Sequence, residues 1–379
     1  SWKTNILNIE LKDYFSMKKE INRNQICIFI IIVGLFYSIF NSVNQTKKND
    51  KFYYDSEGIE THKILKSDLY AYWHQAHLFK KDIENGKGIL ESGKILEDSN
   101  QNYLYPKFIA SYYLIIGKDI KDKNGKLLIN NSKFGIPIIQ SLFFYIALIF
   151  FYKNLSKLIR DNSLIFIILI LSLEPSMIQY HSSYWPESIY LSMLLIFFSF
   201  FLTTHKKNYM YLLVGIFLSL MYMQKSVAIF LFLPVIIYLV IALKYKAALP
   251  SILIIIGYSL IMLFIGYQNL KRTGLFFVIP KQQLDAHWTY VAHKLNANKF
   301  NITEAEALNK KYKDMNIWIE DNDINTQKFL DQRKLANYKK EYFVESLEDN
   351  LIYFIKYHIY KTSQMLILPM HHVKNFYIK

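Results

Sequence analysis

The sequence predicts an all-α polytopic membrane protein, and three observations carry that prediction. Hydrophobic residues make up 52% of the 379 residues, aromatic residues 17%, and the mean hydropathy is +0.11, so too few polar groups remain to cover a water-exposed globule of this size. Seven apolar runs approach the roughly 20 residues that a helix needs to cross a hydrocarbon core of about 30 Å. Lys and Arg collect in alternate connections between those runs, the bias that sets orientation in a bilayer. The net charge of +15, from 45 Lys plus Arg against 30 Asp plus Glu, would by itself suit a nucleic-acid binder. Much of the excess instead flanks apolar runs, and no nucleic-acid partner is expected. The single cysteine, Cys27, lies inside the first run and excludes an intrachain disulfide framework.

The runs lie near 25–44, 134–152, 163–180, 184–204, 209–224, 226–243 and 248–267. The first is too long and too far from the start to be a simple signal peptide, and it reads as a retained helix. Residues 1–24 carry Lys3, Lys12, Lys18, Lys19 and Arg23. On the same side fall Lys153, Lys157 and Arg160, then Lys206 and Lys207, then Lys244 and Lys246. The opposite short connections hold no Lys or Arg between Leu173 and Glu187, and only Lys225 between the fifth and sixth runs. The N-terminus is therefore expected in the cytoplasm.

The expected organisation is a cytoplasmic segment at 1–24, a first transmembrane helix at 25–44 and an extracytoplasmic loop with juxtamembrane helices at 45–133. A six-helix transmembrane region follows at 134–267, then a second extracytoplasmic helical segment at 268–350 and an interfacial or truncated transmembrane helix at 351–379. Within the first loop, Phe108 to Gly117 is apolar but too short to span. Residues 300–350 alternate charged and apolar residues at helical spacing without Gly or Pro and predict soluble helices. Leu351 to Pro369 is apolar but interrupted by Lys356, His358 and Lys361, as in a helix lying at an interface. The chain opens on Ser and stops just after an apolar stretch, as a piece lacking part of one or both ends would.

With the long polar segments on one face, any chemistry is expected outside the cell. No Gly-rich phosphate loop and no zinc-type Cys/His spacing is present. The first candidate site is the stretch Ser67 to Phe79, where Asp68, Tyr72, Gln75 or Ala76, and Phe79 share one helical face. Asp68 or Ser67 could equally be a helix cap. His74 and His77 have metal-compatible spacing, although surface histidines of this kind are common. The second is Leu173 to Tyr190. Glu174 precedes Pro175, which pushes its backbone out of the helix; Glu187 follows Pro186 in a first helical turn, where the dipole favours a negative charge. Two acids in a turn without a basic partner at a membrane boundary point to a functional pocket. The third candidate is cationic: Lys225, Lys271 and Arg272, for which headgroup snorkelling is the plain alternative. Arg272 is one of few arginines in a lysine-dominated chain, and its guanidinium suits bidentate phosphate recognition. Trp73, Trp185 and Trp288 each lie near one of the charged stretches, as interfacial anchors or sugar-stacking surfaces.

Together these pieces resemble the GT-C superfamily of polytopic glycosyltransferases, and within it the bacterial relatives of protein O-mannosyltransferases and of the lipid A aminoarabinose transferase. The resemblance runs from about Ile26 to Pro369. It rests on Asp68, Tyr72, Ala76 and Phe79; on Tyr105, Pro106 and the stretch KFIASYYLIIG; on Gln140; on Pro175 and Glu187; on Gly215 and Lys225; and on Asn269 and Gly274. Many protein O-mannosyltransferases carry an acidic pair in the first loop, whereas Asp68 is followed by Leu69. The resemblance implies a GT-C-like helical bundle in a bacterial inner (plasma) membrane. It also implies inverting transfer of a sugar from a polyprenyl-phosphate donor to a glycan, lipid or protein hydroxyl.

In that scheme Asp68 is the general base. Lys225, Arg272 and Lys107 face the leaving phosphate, and Glu174, Glu187, Tyr72 and Trp185 bind substrate. The two glutamates could orient the acceptor, bind sugar hydroxyls or hold a divalent ion, and no other cofactor is implied. A transporter or flippase for a lipid-linked glycan is the alternative; it calls for ionisable residues inside the bundle and helices broken at mid-membrane. A non-catalytic scaffold would leave the external acids and cations scattered.

Overall fold

The computed structural model describes residues 23–44, 68–88, 104–121, 135–159, 161–182, 184–203, 208–279, 287–326, 328–348 and 350–367. These residues form helices joined by turns, with no strand among them, and the protein is an all-α polytopic membrane protein. It divides into two compact units, 1–278 and 279–379.

The first unit contains α1 (Arg23–Asn44), α2 (Asp68–Glu84), α3 (Leu104–Ile116), α4 (Gly135–Leu155), α5 (Ser163–Leu173), α6 (Pro175–Ser182), α7 (Pro186–Thr203), α8 (Tyr209–Gln224), α9 (Phe232–Leu243) and α10 (Ala248–Thr273). Each of the seven apolar runs falls on one of these helices, on a bent pair of them or, for the run at 226–243, on a 3-10 segment (Ser226–Leu231) followed by α9. By length and composition α1, α4 and α10 can cross a membrane, and α5 with α6 makes a fourth candidate bent by 41°. Pro186–Phe201, Tyr209–Gln224 and Val227–Leu243 are shorter apolar helices. At 1.5 Å per residue, helices of this length reach only about 24–26 Å, so these three fall short of a full hydrocarbon core on length alone. Of the cations that suggest the orientation, Lys3, Lys12, Lys18, Lys19, Arg160, Lys206 and Lys207 lie outside the described residues.

Apolar helices in an apolar surrounding gain nothing from burying one more leucine; close backbone approach and interhelical hydrogen bonds hold them instead. Both devices are present. Gly215 of α8 lies against the Ile254 carbonyl of α10, and Gly257 of α10 against the Leu212 carbonyl of α8, so that any side chain at either position would overlap backbone. Ser38 and Ser42 of α1 both reach Ser141 of α4, at 2.9 and 3.4 Å between hydroxyl oxygens. The Tyr145 hydroxyl donates to the Ser172 carbonyl at 2.7 Å, and the Tyr152 hydroxyl to Asn24 Oδ1 at 2.8 Å. Around these bonds packs a core of Cys27, Ile31, Phe144, Leu148, Leu164 and Ile168.

The single run expected at 163–180 is divided where Pro175 forces Glu174 into an extended conformation (φ −62°, ψ 121°). Pro186 begins α7 at the position where a missing N–H costs nothing. At the far end of α10, Gly274 takes the left-handed conformation (φ 76°) and its N–H reaches the Leu270 carbonyl at 2.9 Å.

The second unit holds a π-helical turn (Trp288–Ala292), α11 (His293–Phe300), α12 (Glu304–Asp321), α13 (Phe329–Glu348) and α14 (Leu351–Ile367). Thr303 and Glu306 close a capping box at the start of α12. Lys311 of α12 is fully buried, its Nζ donating to the Trp288 carbonyl at 3.0 Å and the Thr289 carbonyl at 3.3 Å, 4.0 Å from the Trp288 ring centroid. Burial, then the neighbouring Lys339, pushes the Lys311 ammonium down to about 8.

Gly215→Leu or Gly257→Leu should lower the thermal midpoint of the solubilised protein sharply, overpacking costing about 1–3 kcal/mol or more. Gly88→Ala, whose added Cβ would meet nothing within 4 Å, should leave it unchanged. Equal midpoints for all three variants would remove the close-packing role. For Lys311, the folded state releases its proton near pH 8 while the unfolded state holds it to about 10.4, so stability contributed by this group rises with pH through that window. Hydrogen exchange of peptides from 287–348, corrected for intrinsic rates, should show slower opening at pH 9.5 than at pH 7.5, with the difference lost in Lys311→Met.

Candidate functional site

Helix α2 begins at Asp68 and buries the face expected of it: Tyr72, Gln75, Ala76 and Phe79 are all buried. One turn beyond Asp68, Tyr72 meets the Tyr105 ring of α3 edge-on at 5.2 Å. Trp73, fully buried, contacts Tyr113 of α3 at 5.5 Å and Tyr184, in the link between α6 and α7, at 5.6 Å. The first and second stretches singled out in the sequence thus pack on each other. Edge-to-face pairs of this kind contribute about 0.5–1.5 kcal/mol each beyond area burial.

Beneath the rings runs a chain of polar contacts. The Tyr105 hydroxyl donates to Gln140 Oε1 at 2.8 Å; Gln140 Nε2 donates to the His181 carbonyl at 3.3 Å; His181 Nδ1 lies 2.9 Å from Ser188 Oγ. All four residues are fully buried. Burial first, then Tyr72, Tyr184 and Glu187, holds the Tyr105 phenol far above its usual range, which keeps it a proton donor.

Glu187 does have a basic partner, contrary to the reading of its turn as acidic and unpaired: Lys225, 38 positions later, donates to Glu187 Oε1. Lys225 ends α8 in an extended conformation, and the preceding Gln224 donates from Nε2 to the Pro186 carbonyl at 2.9 Å, so the end of α8 is fastened to the start of α7. The side chains of Glu187 and Lys225 are 22% and 34% exposed, shielded enough for the pair to matter energetically. Glu187 Oε2 is buried without a hydrogen-bond partner.

Glu174 is committed to structure, since its Oε2 accepts from the Met177 N–H at 2.7 Å and caps α6. Trp185 is half-buried and its carbonyl accepts from the Ser188 N–H at 3.4 Å as α7 begins. Lys107 lies 5.7 Å from the Phe79 ring centroid, tying α3 to α2. Arg272 stands in the last turn of α10, where Asn269 Nδ2 donates to the Phe277 carbonyl at 2.7 Å. The side chains of Asp68 and Arg272 lie outside the described residues.

His74 Nδ1 is 3.2 Å from Lys121 Nζ, and burial followed by Lys121 lowers the proton affinity of His77. A metal cation would meet lysines there. No group of three His, Cys, Asp or Glu able to hold a metal occurs among the described residues.

His181 and Gln224 escaped the sequence reading. The available signal was a lone histidine in an apolar stretch, seven residues before Ser188, and an amide beside Lys225.

Residues 123–267 match the family described as dolichyl-phosphate-mannose-protein mannosyltransferase. That family is of the GT-C type. The GT-C-type match contains Glu174, Trp185, Glu187 and Lys225 and stops short of Asp68, Tyr72 and Lys107 on one side and Arg272 on the other. It supports a membrane glycosyltransferase, with a lipid-linked sugar as the general class of donor and a glycan or protein as the general class of acceptor. No curated protein and no solved structure matches the chain.

Removing one member of the Glu187–Lys225 pair strands the other. Lys225→Met should therefore lower stability by about 1–3 kcal/mol, and by more than Lys225→Met combined with Glu187→Gln, a non-additivity that a double-mutant cycle on the unfolding midpoint measures. Strict additivity would mean the two charges do not interact.

Proposed function

We propose that the protein transfers a sugar from a polyprenyl-phosphate donor to an acceptor hydroxyl on the extracytoplasmic side of a bacterial inner membrane, with the N-terminus in the cytoplasm. The observation that most supports this reading is the packing of α2, which starts at Asp68, against the link that leads into α7 and Glu187, within the stretch that matches the mannosyltransferase family. Asp68 takes the acceptor proton as the acceptor oxygen attacks the anomeric carbon. The bond from that carbon to the phosphate oxygen breaks, and polyprenyl phosphate leaves with the electron pair. One displacement from the face opposite the leaving group inverts the anomeric centre.

An aspartate with a reference pKa of about 3.9 is a weak base in water, so alignment and desolvation have to supply its strength. The leaving phosphate gains negative charge, which fixed cations stabilise most effectively where water is excluded. Arg272 and Lys107 take this role. Lys225, paired with Glu187, joins them when the donor phosphate competes for its ammonium. Glu187 binds substrate hydroxyls through its unpaired oxygen; Tyr72 and Trp185 supply the aromatic walls, and Glu174 fixes the turn through its cap on α6.

Membranes carrying the full-length protein should turn over radiolabelled polyprenyl-phosphate sugar. Asp68→Asn should reduce that turnover by about 10²–10⁴-fold, the usual contribution of a general base; turnover like the wild type would remove the assignment. Arg272→Ala should mainly weaken donor use, and an unchanged donor dependence would remove its role.

A further inference from the structure

His181 sits in the last turn of α6, fully buried, with its ring stacked 3.8 Å from the Phe144 ring centroid. Its Nδ1 contacts Ser188 Oγ in the first turn of α7, one residue past Glu187, and its carbonyl accepts from Gln140. Stacking fixes the ring plane and the hydroxyl contact fixes its rotation, so the imidazole bridges the two helices across the short link that carries Tyr184 and Trp185. Other bonds fasten the same link: Asn41 Nδ2 donates to Ser182 Oγ at 2.8 Å, and Gln224 Nε2 donates to the Pro186 carbonyl at 2.9 Å. His181 Nε2 remains buried without a partner. An unpaired buried nitrogen costs free energy that a phenylalanine of similar shape would avoid, so packing alone is a poor reason for a histidine at this position.

We infer that His181 is a positioning residue: by joining the end of α6 to the start of α7 it holds Glu187 at the place where it meets Lys225 and the substrate. This rests on the glycosyl-transfer reading for its kinetic consequence, though not for its structural one. Phenylalanine keeps the stacking on Phe144 and loses the bond to Ser188. Asparagine loses stacking and keeps a polar group within reach of Ser188.

Two measurements on the full chain test the inference. In donor kinetics, His181→Phe should raise KM about tenfold with kcat within about threefold, a shift of about 1.4 kcal/mol in the binding step. His181→Asn should recover most of it, and His181→Phe should add little to Glu187→Gln because both act through one carboxylate. A merely structural histidine would instead lower the amount of folded enzyme and leave KM alone. That outcome, or full additivity with Glu187→Gln, overturns the inference.

In the second measurement, the pair is replaced by cysteines (Glu187→Cys with Lys225→Cys, in a Cys27→Ser background) and bridged with a short bis-methanethiosulfonate reagent. Adding His181→Phe should slow bridging at least about fivefold, and adding His181→Asn should not. Unchanged bridging overturns the inference. Absence of any wild-type turnover counts against the proposed function instead, and bridging then decides the positioning role by itself.

Discussion

The fold of the first unit depends on one constraint: polar groups surrounded by apolar helices must find partners inside the protein, because lipid offers none. The chain of contacts from Tyr105 through Gln140 and His181 to Ser188 meets that constraint for α3, α4, α6 and α7 at once. Leucine faces slide past one another at small cost, whereas a hydroxyl shifted by one residue loses its partner, at a cost of about 1–3 kcal/mol for the unsatisfied group. The polar chain therefore sets register, and apolar packing then fills the space around it. Gly215 and Gly257 play the complementary part for α8 and α10, letting backbone approach backbone where no side chain fits.

Much of this was readable from the sequence. The apolar runs became helices because length and hydropathy are local properties, and the Glu174–Pro175 break followed from a steric rule that acts on adjacent residues. The buried face of α2 followed from helical periodicity. Interactions between distant positions were not readable in the same way. Lys225 lies 38 residues from Glu187, and nothing in either neighbourhood indicates that one neutralises the other. The capping role of Glu174 was hidden because a carboxylate before a proline looks the same whether it turns back to an N–H or outward to a ligand. His181 lacked the charge and the proline neighbours that drew attention to the two glutamates.

The Glu187–Lys225 pair changes the electrostatics expected of the site. Two unpaired acids beside an interface would repel an incoming phosphate, and a lone lysine opposite them would attract it. A pair does neither strongly until it opens. In a shielded position, opening costs the attraction between the two charges, so a ligand has to offer each partner at least as much: an anion for Lys225 and hydroxyl donors for Glu187. A sugar phosphate carries both within one molecule. A free phosphate carries only the first and a neutral glycan only the second, so under the proposed function the pair would discriminate by asking for both groups together.

The same residues bear on the transporter alternative, which is best served by the bend between α5 and α6, since broken helices are where transporters place their substrate sites. Such a site depends on helix ends left open, with N–H groups and carboxylates turned toward a ligand. At this bend the Glu174 carboxylate bonds the Met177 N–H, the Ile178 N–H reaches the Glu174 carbonyl at 3.2 Å, and the Glu174 N–H reaches the Ile170 carbonyl at 3.0 Å. These bonds occupy the Glu174 carboxylate and backbone at the break, which redirects the chain toward His181 and the link beyond it. The ionisable pair lies further along, in the first turn of α7 and just past the last turn of α8, where helices end and not in their middles. Charges at helix ends can meet a headgroup from the side of the bilayer surface without a path through the bundle. A lipid-borne donor needs that access, and a solute that must cross gains nothing from it.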